Sequence, residues 1–374
     1  MEILKVLAVA DPAVSVYVDK QYHLLEDFPE KDIKVQFDIV PWEDYFDTMT
    51  QAFNGKASYD IVMVAGHLWL KDFVDKGYLA PMSYDFEDIL PIIAEEMTCE
   101  GKTYLSPSFC DGHMIVYRKS ILQAVLGTLP EEVITVDKFI KIVEKLYRAG
   151  YDTPIAIKAH ESEILLDALP YLRSESDQDL YVPQQGRSTC HIKEMSQGLD
   201  KYLRLKAFAS KEAHMYGNDE IKEALIREQV VMAAPWSGQL GVITQGYDKR
   251  EDLGYATFDT AWNVTWSFAI TSMSKQKDQA EKLLAYLRSK KVDSIVGAYC
   301  GAPIRKSSYL EGMARFPWYK VQLRMIEECA KPLASDAKAG EKNGLLYEAI
   351  HHIFTGKVSS TEALSEVQEK VNAI

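Results

Sequence analysis

Four of the six tryptophans stand where predicted strands begin or end, namely Trp42, Trp236, Trp262 and Trp266. A flat aromatic ring offers an apolar surface, and polar groups around it add directional hydrogen bonds. This combination suits a ligand that has an apolar face and a rim of hydroxyl groups. Each of the four rings has an alternative role in core packing. For Trp69 and Trp318, on predicted helices, packing is the favoured interpretation.

Seven polar residues fall at strand ends or in loops near the predicted breaks in the chain: Asp11, His67, Asp111, Gln239, Asp259, Asn263 and Arg305. Asp111 either contacts a ligand or satisfies backbone amides in its own turn, and Arg305 either contacts a ligand or forms an ion pair between domains. His67 can equally begin a helix. The carboxylates Asp11, Asp111 and Asp259, together with the tryptophans, offer an alternative cage for an amine.

Catalytic and metal-binding patterns are absent from the sequence. There is no GxSxG, HExxH or P-loop motif. The adjacent His351 and His352 point to different faces of a predicted helix, and Glu161 and Glu163 support no general acid–base pair. Five cysteines (Cys99, Cys110, Cys190, Cys300 and Cys329) form no CxxC pair, and most suit buried small hydrophobic positions. We therefore expect no metal, no cofactor and no catalytic residue.

Composition excludes two classes of partner. The 42 basic and 55 acidic residues give a net charge of −13, so the chain has no cationic excess for nucleic acid or an anionic membrane surface. No apolar run approaches the roughly 18 residues of a membrane span. At 374 residues the chain is long for one core, and two domains are expected.

The elements that position the candidate residues begin as strand and helix in alternation. Apolar runs and period-two patterns predict strands over residues 3–10, 34–40 and 59–64. A helix is predicted after each, over residues 15–26, around 45–53 and over 67–76. Three strand–helix units predict an α/β fold with a parallel sheet, and such sheets bind ligands beyond the carboxyl ends of their strands.

The stretch from Gly101 to Leu122 follows this first α/β region. Turn residues, a break at Cys110-Asp111-Gly112 and the apolar run Met114–Tyr117 predict an extended segment, a flexible break and a buried strand. The stretch is either an ordinary strand–loop–strand or a hinge strand between two domains.

The remainder predicts a second α/β domain. A helix over 135–147 has Thr135 as its N-cap, and helices are also predicted around 198–209 and 218–228. Strands are predicted over 154–157, 229–234 and 264–270, and the polar residues 173–189 suit a surface loop. Ser274 is predicted to cap a helix, and the Ser359-x-x-Glu362 pattern predicts a capping box at the last helix.

Seven fragments follow one another in the order of a known family's motifs. They are FNGKASYDIV (53–62), LKDFVDKGYLAPM (70–82), GKTY to YRK (101–119), TVDKFIKIVEKL (135–146), REQVVMAAPW (227–236), SKQKDQAEKLLAYL (274–287) and FTGKVSSTEAL (354–364). Over nearly its full length the chain thus resembles the family 1 extracellular solute-binding proteins of ABC importers, the group that includes maltose-binding protein.

The resemblance implies a type II periplasmic-binding-protein-like fold with two α/β lobes joined by a three-segment hinge. One lobe would comprise residues 1–110 and 267–310, and the other residues 113–262 and 315–374. The crossings would lie near 110–113, 262–267 and 310–315. A secreted protein is implied, either periplasmic or lipid-anchored on the outer face of the cytoplasmic membrane, with its export segment outside the given sequence.

The resemblance also ranks the candidate residues. Trp236 stands where the family places a stacking aromatic residue. Trp266 matches the tryptophan of the family's GGwslaI motif, although Val264 and Thr265 replace the paired glycines. Arg305 follows Gly301-Ala302-Pro303 at a position where the family often has a polar contact.

We therefore expect a monomeric, non-enzymatic substrate-binding protein that closes two lobes on a mono- or oligosaccharide and delivers it to permease subunits. One alternative is a polyamine or other cationic ligand. A second is an enzyme on the same fold, for which Cys110 is the only suitably placed thiol.

Overall fold

The computed structural model describes residues 2–176, 182–184, 187–189, 192–333 and 335–374. In this part of the chain the strands are β1 (Glu2–Val9), β2 (Ile33–Val40), β3 (Ile61–Ala65), β4 (Thr98–Cys99), β5 (Lys102–Thr103), β6 (Ser106–Asp111), β7 (Ile115–Arg118), β8 (Val133–Ile134), β9 (Ile155–Ala156), β10 (Val182–Gln184), β11 (Arg187–Thr189), β12 (Met232–Ala233), β13 (Leu253–Phe258), β14 (Trp262–Ile270) and β15 (Lys331–Pro332). The helices are α1 (Pro12–Val18), α2 (Trp42–Phe53), α3 (Gly66–Asp75), α4 (Pro91–Glu96), α5 (Lys119–Leu126), α6 (Val136–Arg148), α7 (Ile164–Arg173), α8 (Ile192–Arg204), α9 (Asn218–Ile226), α10 (Leu240–Gly246), α11 (Lys277–Leu287), α12 (Lys290–Cys300), α13 (Lys306–Gly312), α14 (Trp318–Arg324), α15 (Ala339–Phe354) and α16 (Ser360–Ala373).

The chain forms two compact units. Unit 1 comprises Met1–Asp111, Asn263–Tyr319 and Ser335–Ala337, and unit 2 comprises Gly112–Trp262, Lys320–Ala334 and Lys338–Ile374. The boundary in the Gly101–Leu122 stretch thus falls inside the predicted break, between β6 and β7. The last boundary follows Tyr319, whereas the family resemblance implies a third crossing near residues 310–315. The lobe and hinge boundaries themselves remain a prediction.

Unit 1 is built on a sheet in the order β14-β3-β1-β2, and β6 pairs with β14. The strand β1 runs parallel to both β2 and β3, so the three carboxyl ends share one edge of the sheet. Since β14 runs antiparallel to β3, its first half lies at this same edge, with Trp266 opposite Ala65. The fold therefore gathers the residues that follow β1, β2 and β3 next to the start of β14.

Unit 2 contains a five-stranded sheet in the order β8-β13-β7-β12-β9. The strand β7 is antiparallel to its two neighbours, β12 and β13. The outer strand β9 runs parallel to β12, and the outer strand β8 runs parallel to β13. The start of β7 therefore lies beside the ends of β9, β12 and β13. A continuous apolar core packs α6, α7, α8, α15 and α16 against this sheet, with Phe139, Leu172, Leu199 and Leu364 buried in it.

Some predicted elements differ from the observed ones. The helix predicted over 15–26 is α1, which begins after the N-cap Asp11 and ends at Val18. Ser274 does not cap α11, because its hydroxyl donates to Asp60 Oδ1 at 2.7 Å and the N-cap position is Gln276. Of the loop predicted over 173–189, residues 182–184 and 187–189 form the antiparallel pair β10–β11, and residues 177–181 and 185–186 lie outside the described part.

The predicted N-caps of α6 and α16 are present, but the predicted capping box at α16 is only half formed, because Glu362 Oε2 accepts from the Ser359 hydroxyl at 3.5 Å and not from the Ser359 amide. Thr135 Oγ1 accepts a hydrogen bond from the Lys138 amide at 3.1 Å, and Ser359 Oγ accepts one from the Glu362 amide at 3.4 Å. The hydroxyl oxygen of a Ser or Thr at the N-cap accepts a hydrogen bond from one of the amides that a helix start leaves without an intrahelical partner.

Candidate ligand-binding residues

An aromatic cluster of Trp42, Phe46, Trp69 and Trp266 lies at the strand-end edge of unit 1. Trp42 stacks on Trp69 with ring centroids 5.7 Å apart and 21° between the ring planes. Trp266 meets Trp42 edge-to-face at 5.8 Å, and Phe46 lies 5.4 Å from Trp69. Trp69 is buried, whereas Trp42 and Phe46 are each 45% exposed. The cluster thus fixes the orientation of Trp42 and leaves part of its ring accessible.

Glu96 and Asn263 form a carboxyl–amide pair on the face of β14 opposite to Trp266. Asn263 is fully buried, and its Nδ2 donates to Glu96 Oε1 at 3.0 Å and lies 3.4 Å from Thr265 Oγ1. Within the described chain, Glu96 Oε2 and Asn263 Oδ1 are buried without a hydrogen-bond partner. Burial raises the pKa of Glu96 to about 7, against the lowering effect of its bonds to Thr265 and Asn263. Near neutral pH this carboxyl is therefore part protonated.

The two other strand ends of unit 1 carry His67 and Asp11. His67 is the second residue of α3, and its Nδ1 is buried with no hydrogen-bond partner in the described residues. Burial lowers the pKa of His67 to about 3, so the ring is neutral at physiological pH. Asp11 caps α1 by accepting from the Ala13 amide at 2.7 Å, and burial raises its pKa to about 6.

Asp111 and Arg305 occupy structural positions within unit 1. Asp111 is the last residue of β6, is 6% exposed and lies opposite Val264 of β14. The guanidinium of Arg305 donates to the carbonyl of Arg288 from Nε at 2.9 Å and from Nη2 at 2.8 Å, and to the carbonyl of Glu87 from Nη1 at 3.1 Å. These backbone bonds, with Asp88 at 3.6 Å, account for most of its donors.

In unit 2, Trp236 is held by a carboxylate. Trp236 Nε1 donates to Glu163 Oε2 at 2.7 Å, and the other carboxylate oxygen accepts from Asn218 Nδ2 at 2.9 Å. Glu163 immediately precedes α7, and Trp236 follows β12, so the bond joins two elements that the sheet brings together. Trp236 is partly exposed. This charge-assisted hydrogen bond therefore fixes the orientation of the Trp236 ring.

A buried polar network lies next to Trp236. Lys158 is fully buried, with Nζ 2.6 Å from His113 Nε2 and 4.9 Å from the centroid of the Trp236 ring. Asp167 accepts from the Lys158 amide at 3.1 Å and from the Tyr202 hydroxyl at 2.7 Å. Burial and the Lys158 charge lower the pKa of His113, so His113 stays neutral although Asp167 lies 3.7 Å from its Nδ1. The network fixes the side of Trp236 that faces the core.

The remaining unit 2 candidates differ in accessibility. Trp262 is 1% exposed, and its Nε1 donates to the Leu166 carbonyl at 3.1 Å, so the ring packs in the core beside Trp236 at 5.0 Å. Gln239 is partly buried, and its Oε1 lacks a partner among the described residues. Asp259 is exposed just after β13. Burial raises the pKa of Asp259 despite two backbone hydrogen bonds.

Cys110 has no features of a nucleophile. Its thiol is fully buried, lies 3.3 Å from the Pro303 carbonyl and 3.4 Å from the Tyr309 hydroxyl, and burial raises its pKa above the ordinary value. Cys99, Cys300 and Cys329 are also free thiols, and Cys190 lies outside the described residues. No group of three metal-ligating side chains occurs in the described part of the chain.

Four residues that contact candidate residues are not among those predicted from the sequence: Glu96, His113, Lys158 and Glu163. Glu163 contacts Trp236 across 73 residues of sequence, and His113 contacts Lys158 across 45. Only one clue was available for any of them. His113 follows the predicted break directly, as a polar residue ahead of the apolar run that forms β7.

No helix in the described chain has the length and apolar character needed to cross a bilayer.

Solved structures with the same fold come from several bacteria. Maltose-bound T. maritima MalE3 superposes with a TM-score of 0.85 at 18% identity, covering 99% of each chain. A solute-binding protein of an ABC transporter from Thermotoga lettingae, bound to alpha-D-tagatose, gives 0.84 at 18% identity and covers 100% of this chain and 99% of that one. One from Agrobacterium vitis, bound to D-mannitol, gives 0.81 at 19% identity with 100% and 98% coverage.

These likenesses confirm the predicted fold class, a type II periplasmic-binding-protein-like α/β fold. The sequence model of the bacterial extracellular solute-binding protein family matches residues 15–293, which is most of the chain. The protein therefore belongs to the bacterial extracellular solute-binding protein family.

Proposed function

We propose that this protein binds a mono- or oligosaccharide and delivers it to the permease subunits of an ABC importer. The observation that carries the proposal is the pair of anchored tryptophans. Trp42 is fixed by stacking on Trp69, and Trp236 is fixed by its bond to Glu163, yet both rings keep accessible surface. Preorganised aromatic rings bind the apolar faces of sugars at low entropic cost.

Neutral hydroxyl groups match polar atoms that the described part of the chain leaves without a partner. Glu96 Oε2, Asn263 Oδ1 and Gln239 Oε1 are acceptors without partners in the described residues, and neutral His67 offers Nδ1. Buried polar atoms without partners gain from a ligand that supplies hydrogen bonds. The named relatives, which were solved with maltose, tagatose and mannitol, support the same ligand class.

The cationic alternative has weaker support. Of the three carboxylates suggested for an amine cage, Asp11 is engaged as a helix cap, accepting from the Ala13 amide at 2.7 Å. Lys158 Nζ lies 4.9 Å from the Trp236 centroid, and a like charge near that ring disfavours a stacked cation.

In the proposed mechanism the two lobes close on the ligand about crossings near residues 110–113, 262–267 and 310–315. Binding to both lobes would favour the closed form and so shift the population. The proposal includes a monomer that acts outside the cytoplasmic membrane, either free in a periplasm or lipid-anchored, and that performs no catalysis.

A thermal-shift screen tests the ligand class. Saccharides and sugar alcohols at millimolar concentration should raise the melting temperature in a saturable manner, because a ligand that binds only the native state stabilises it. Putrescine and spermidine should have no saturable effect. If a polyamine stabilises the protein and no sugar or sugar alcohol does, the carbohydrate proposal is wrong. Recovery of unchanged sugar after incubation tests the absence of catalysis.

A further inference from the structure

Three segments of unit 2 meet around Trp236. Because β9 and β12 run parallel as neighbours, the loops that follow them lie side by side beyond their carboxyl ends. The first loop leads to Glu163, and the second carries Trp236. The first loop is also joined to the segment before α9, since the His160 amide donates to the Tyr216 carbonyl at 3.0 Å. The fold thus brings Asn218, the first residue of α9, to the same edge of the sheet.

Glu163 fixes an aromatic ring and a side-chain amide at once. One of its oxygens accepts from Trp236 Nε1 at 2.7 Å, and the other accepts from Asn218 Nδ2 at 2.9 Å. The start of α9 is held as well, because Glu220 Oε2 accepts from the Gly217 amide at 2.9 Å. The Trp236 ring and the Asn218 amide are therefore oriented by the same carboxylate.

The bond to Glu163 also determines which way the Asn218 amide faces. A carboxylate accepts hydrogen bonds, so the NH2 group must face Glu163 and the carbonyl oxygen must face away from it. That oxygen, Asn218 Oδ1, is buried and has no hydrogen-bond partner in the described residues. A buried acceptor that no donor meets has lost its hydration without compensation. Asn218 Oδ1 is thus oriented in advance for a donor that a ligand supplies.

Gln239 offers a second acceptor on the loop that carries Trp236. Its backbone amide donates to the Trp236 carbonyl at 3.0 Å, and its Oε1 is buried without a partner in the described part of the chain. A fixed ring with unmet acceptors on neighbouring segments favours a ligand that combines an apolar face with hydroxyl donors. Of the two acceptors, Asn218 Oδ1 is the one tied to the ring through a shared side chain.

We propose that Asn218 is a specificity-determining residue, whose Oδ1 accepts a hydrogen bond from a hydroxyl of the sugar unit that stacks on Trp236. Such a position discriminates against a ligand that lacks this hydroxyl, because the buried oxygen would remain unmet. Since the atom is inaccessible to solvent, the side chains around it must open as the ligand enters. The inference rests on the proposed sugar function, to which it adds a residue and a required donor.

Calorimetric titration of the full chain tests the proposal. The parent probe is the saccharide or sugar alcohol that stabilises the unmodified protein most, in a panel that includes maltose, D-tagatose and D-mannitol. Its deoxyfluoro derivatives each replace one hydroxyl by fluorine, which is similar in size and cannot donate. At least one derivative should bind the unmodified protein about tenfold more weakly than the parent, or worse. Equal affinity of the parent and every derivative would overturn the proposal.

A substitution then assigns the lost bond to Asn218. Asn218→Ala should bind the parent more weakly, and it should no longer distinguish the parent from one derivative that the unmodified protein rejects. If Asn218→Ala weakens the parent and every derivative equally, Asn218 only positions Glu163 and Trp236, and the proposal is wrong.

The neighbouring residue provides the matched control. Asp219 is exposed and pairs with Lys222, so Asp219→Asn should keep both the affinity and the discrimination of the unmodified protein. Failure of every saccharide and sugar alcohol to bind the unmodified protein would instead contradict the sugar function itself. This outcome differs from sugar binding in which Asn218 has no part, so the two failures can be told apart.

Discussion

Glu163 shows how a single carboxylate can orient a candidate binding residue. Each of its oxygens accepts one hydrogen bond, from Trp236 and from Asn218. The carboxylate therefore links the ring to α9 and to the start of α7. A change at this residue acts on the orientation of the ring.

We predict that Glu163→Leu weakens sugar binding and costs about 1–3 kcal/mol of stability, because it leaves Trp236 Nε1 without its acceptor. Glu163→Gln retains an amide oxygen that can accept, and it should preserve most of the affinity. Titration of both variants with the sugar found in the screen, and urea unfolding, measure the two effects. If Glu163→Gln loses as much sugar affinity as Glu163→Leu, Glu163 acts through its charge and not by orienting Trp236.

Glu96 predicts a pH dependence of stability. Its pKa is raised from 4.5 to about 7 in the folded chain, so the native state binds more protons than the unfolded state between these values. Stability from this group therefore falls as pH rises through that window. Glu96→Gln should remove this loss. As pH rises from 4.5 to 8, the free energy of unfolding of the variant should therefore increase by about 1–3 kcal/mol relative to that of the unmodified protein.

The adjacent residue provides the control for this measurement. Glu95 is exposed, and Glu95→Gln should leave the pH profile of urea unfolding unchanged. Parallel pH profiles of the unmodified protein and Glu96→Gln would show that folding does not raise the pKa of Glu96.

At the scale of elements, the break between β6 and β7 is closely packed. A Cβ on Gly112 would lie 2.6 Å from the Trp262 carbonyl oxygen and 3.0 Å from Met325 Cε. The Gly112 amide also donates to Ser237 Oγ at 3.2 Å. Gly112→Pro would remove this donor and create the clash, so it cannot test hinge motion separately from folding.

We predict that Gly112→Ala destabilises the protein by about 1–3 kcal/mol, because the Trp262 backbone must shift to accept the methyl group. Gly344→Ala is the matched control. Gly344 lies inside α15 with open space at its Cβ position, so this change should stabilise by about 0.5–1 kcal/mol. Urea unfolding of both variants measures the two changes in free energy of unfolding, which should have opposite signs. Unchanged stability of Gly112→Ala would contradict the close approach of Gly112 to the Trp262 carbonyl oxygen.

The elements that could be predicted from the sequence are those with local signals. Apolar runs and period-two alternation located β1, β2 and β3, and Thr135 and Ser359 marked helix starts, because hydrophobic periodicity and capping act within a few residues. The candidate site was predicted only where strand ends mark it. Glu96, Lys158 and Glu163 reach it through contacts 45 or more residues apart, which no local pattern encodes.

At the scale of the whole molecule, the candidate tryptophans are divided between the two compact units. Trp42 and Trp266 belong to unit 1, and Trp236 belongs to unit 2. If the bound ligand contacts both units, substitution of a contacting residue in either unit must weaken ligand binding.

We predict that Trp42→Ala and Trp236→Ala each lower sugar affinity at least tenfold. Each would correspondingly reduce the ligand-induced rise in melting temperature, which reflects a stabilisation of about 2.7 kcal/mol at a ligand concentration of 100 Kd. Tyr147→Ala is the control, because Tyr147 is 47% exposed on α6 and is not a candidate residue. Loss of affinity in only one tryptophan variant would confine the ligand to one unit.

The aromatic cluster of unit 1 also provides an intrinsic spectroscopic signal for ligand binding. Three indole rings with centroids between 5.7 and 6.3 Å apart couple their electronic transitions, so their near-ultraviolet circular dichroism depends on the angles between them. A sugar absorbs no light at these wavelengths. Any change that it causes in this signal must therefore arise from movement or altered surroundings of Trp42, Trp69, Trp266 or the other aromatic side chains, which allows binding to be followed without a label.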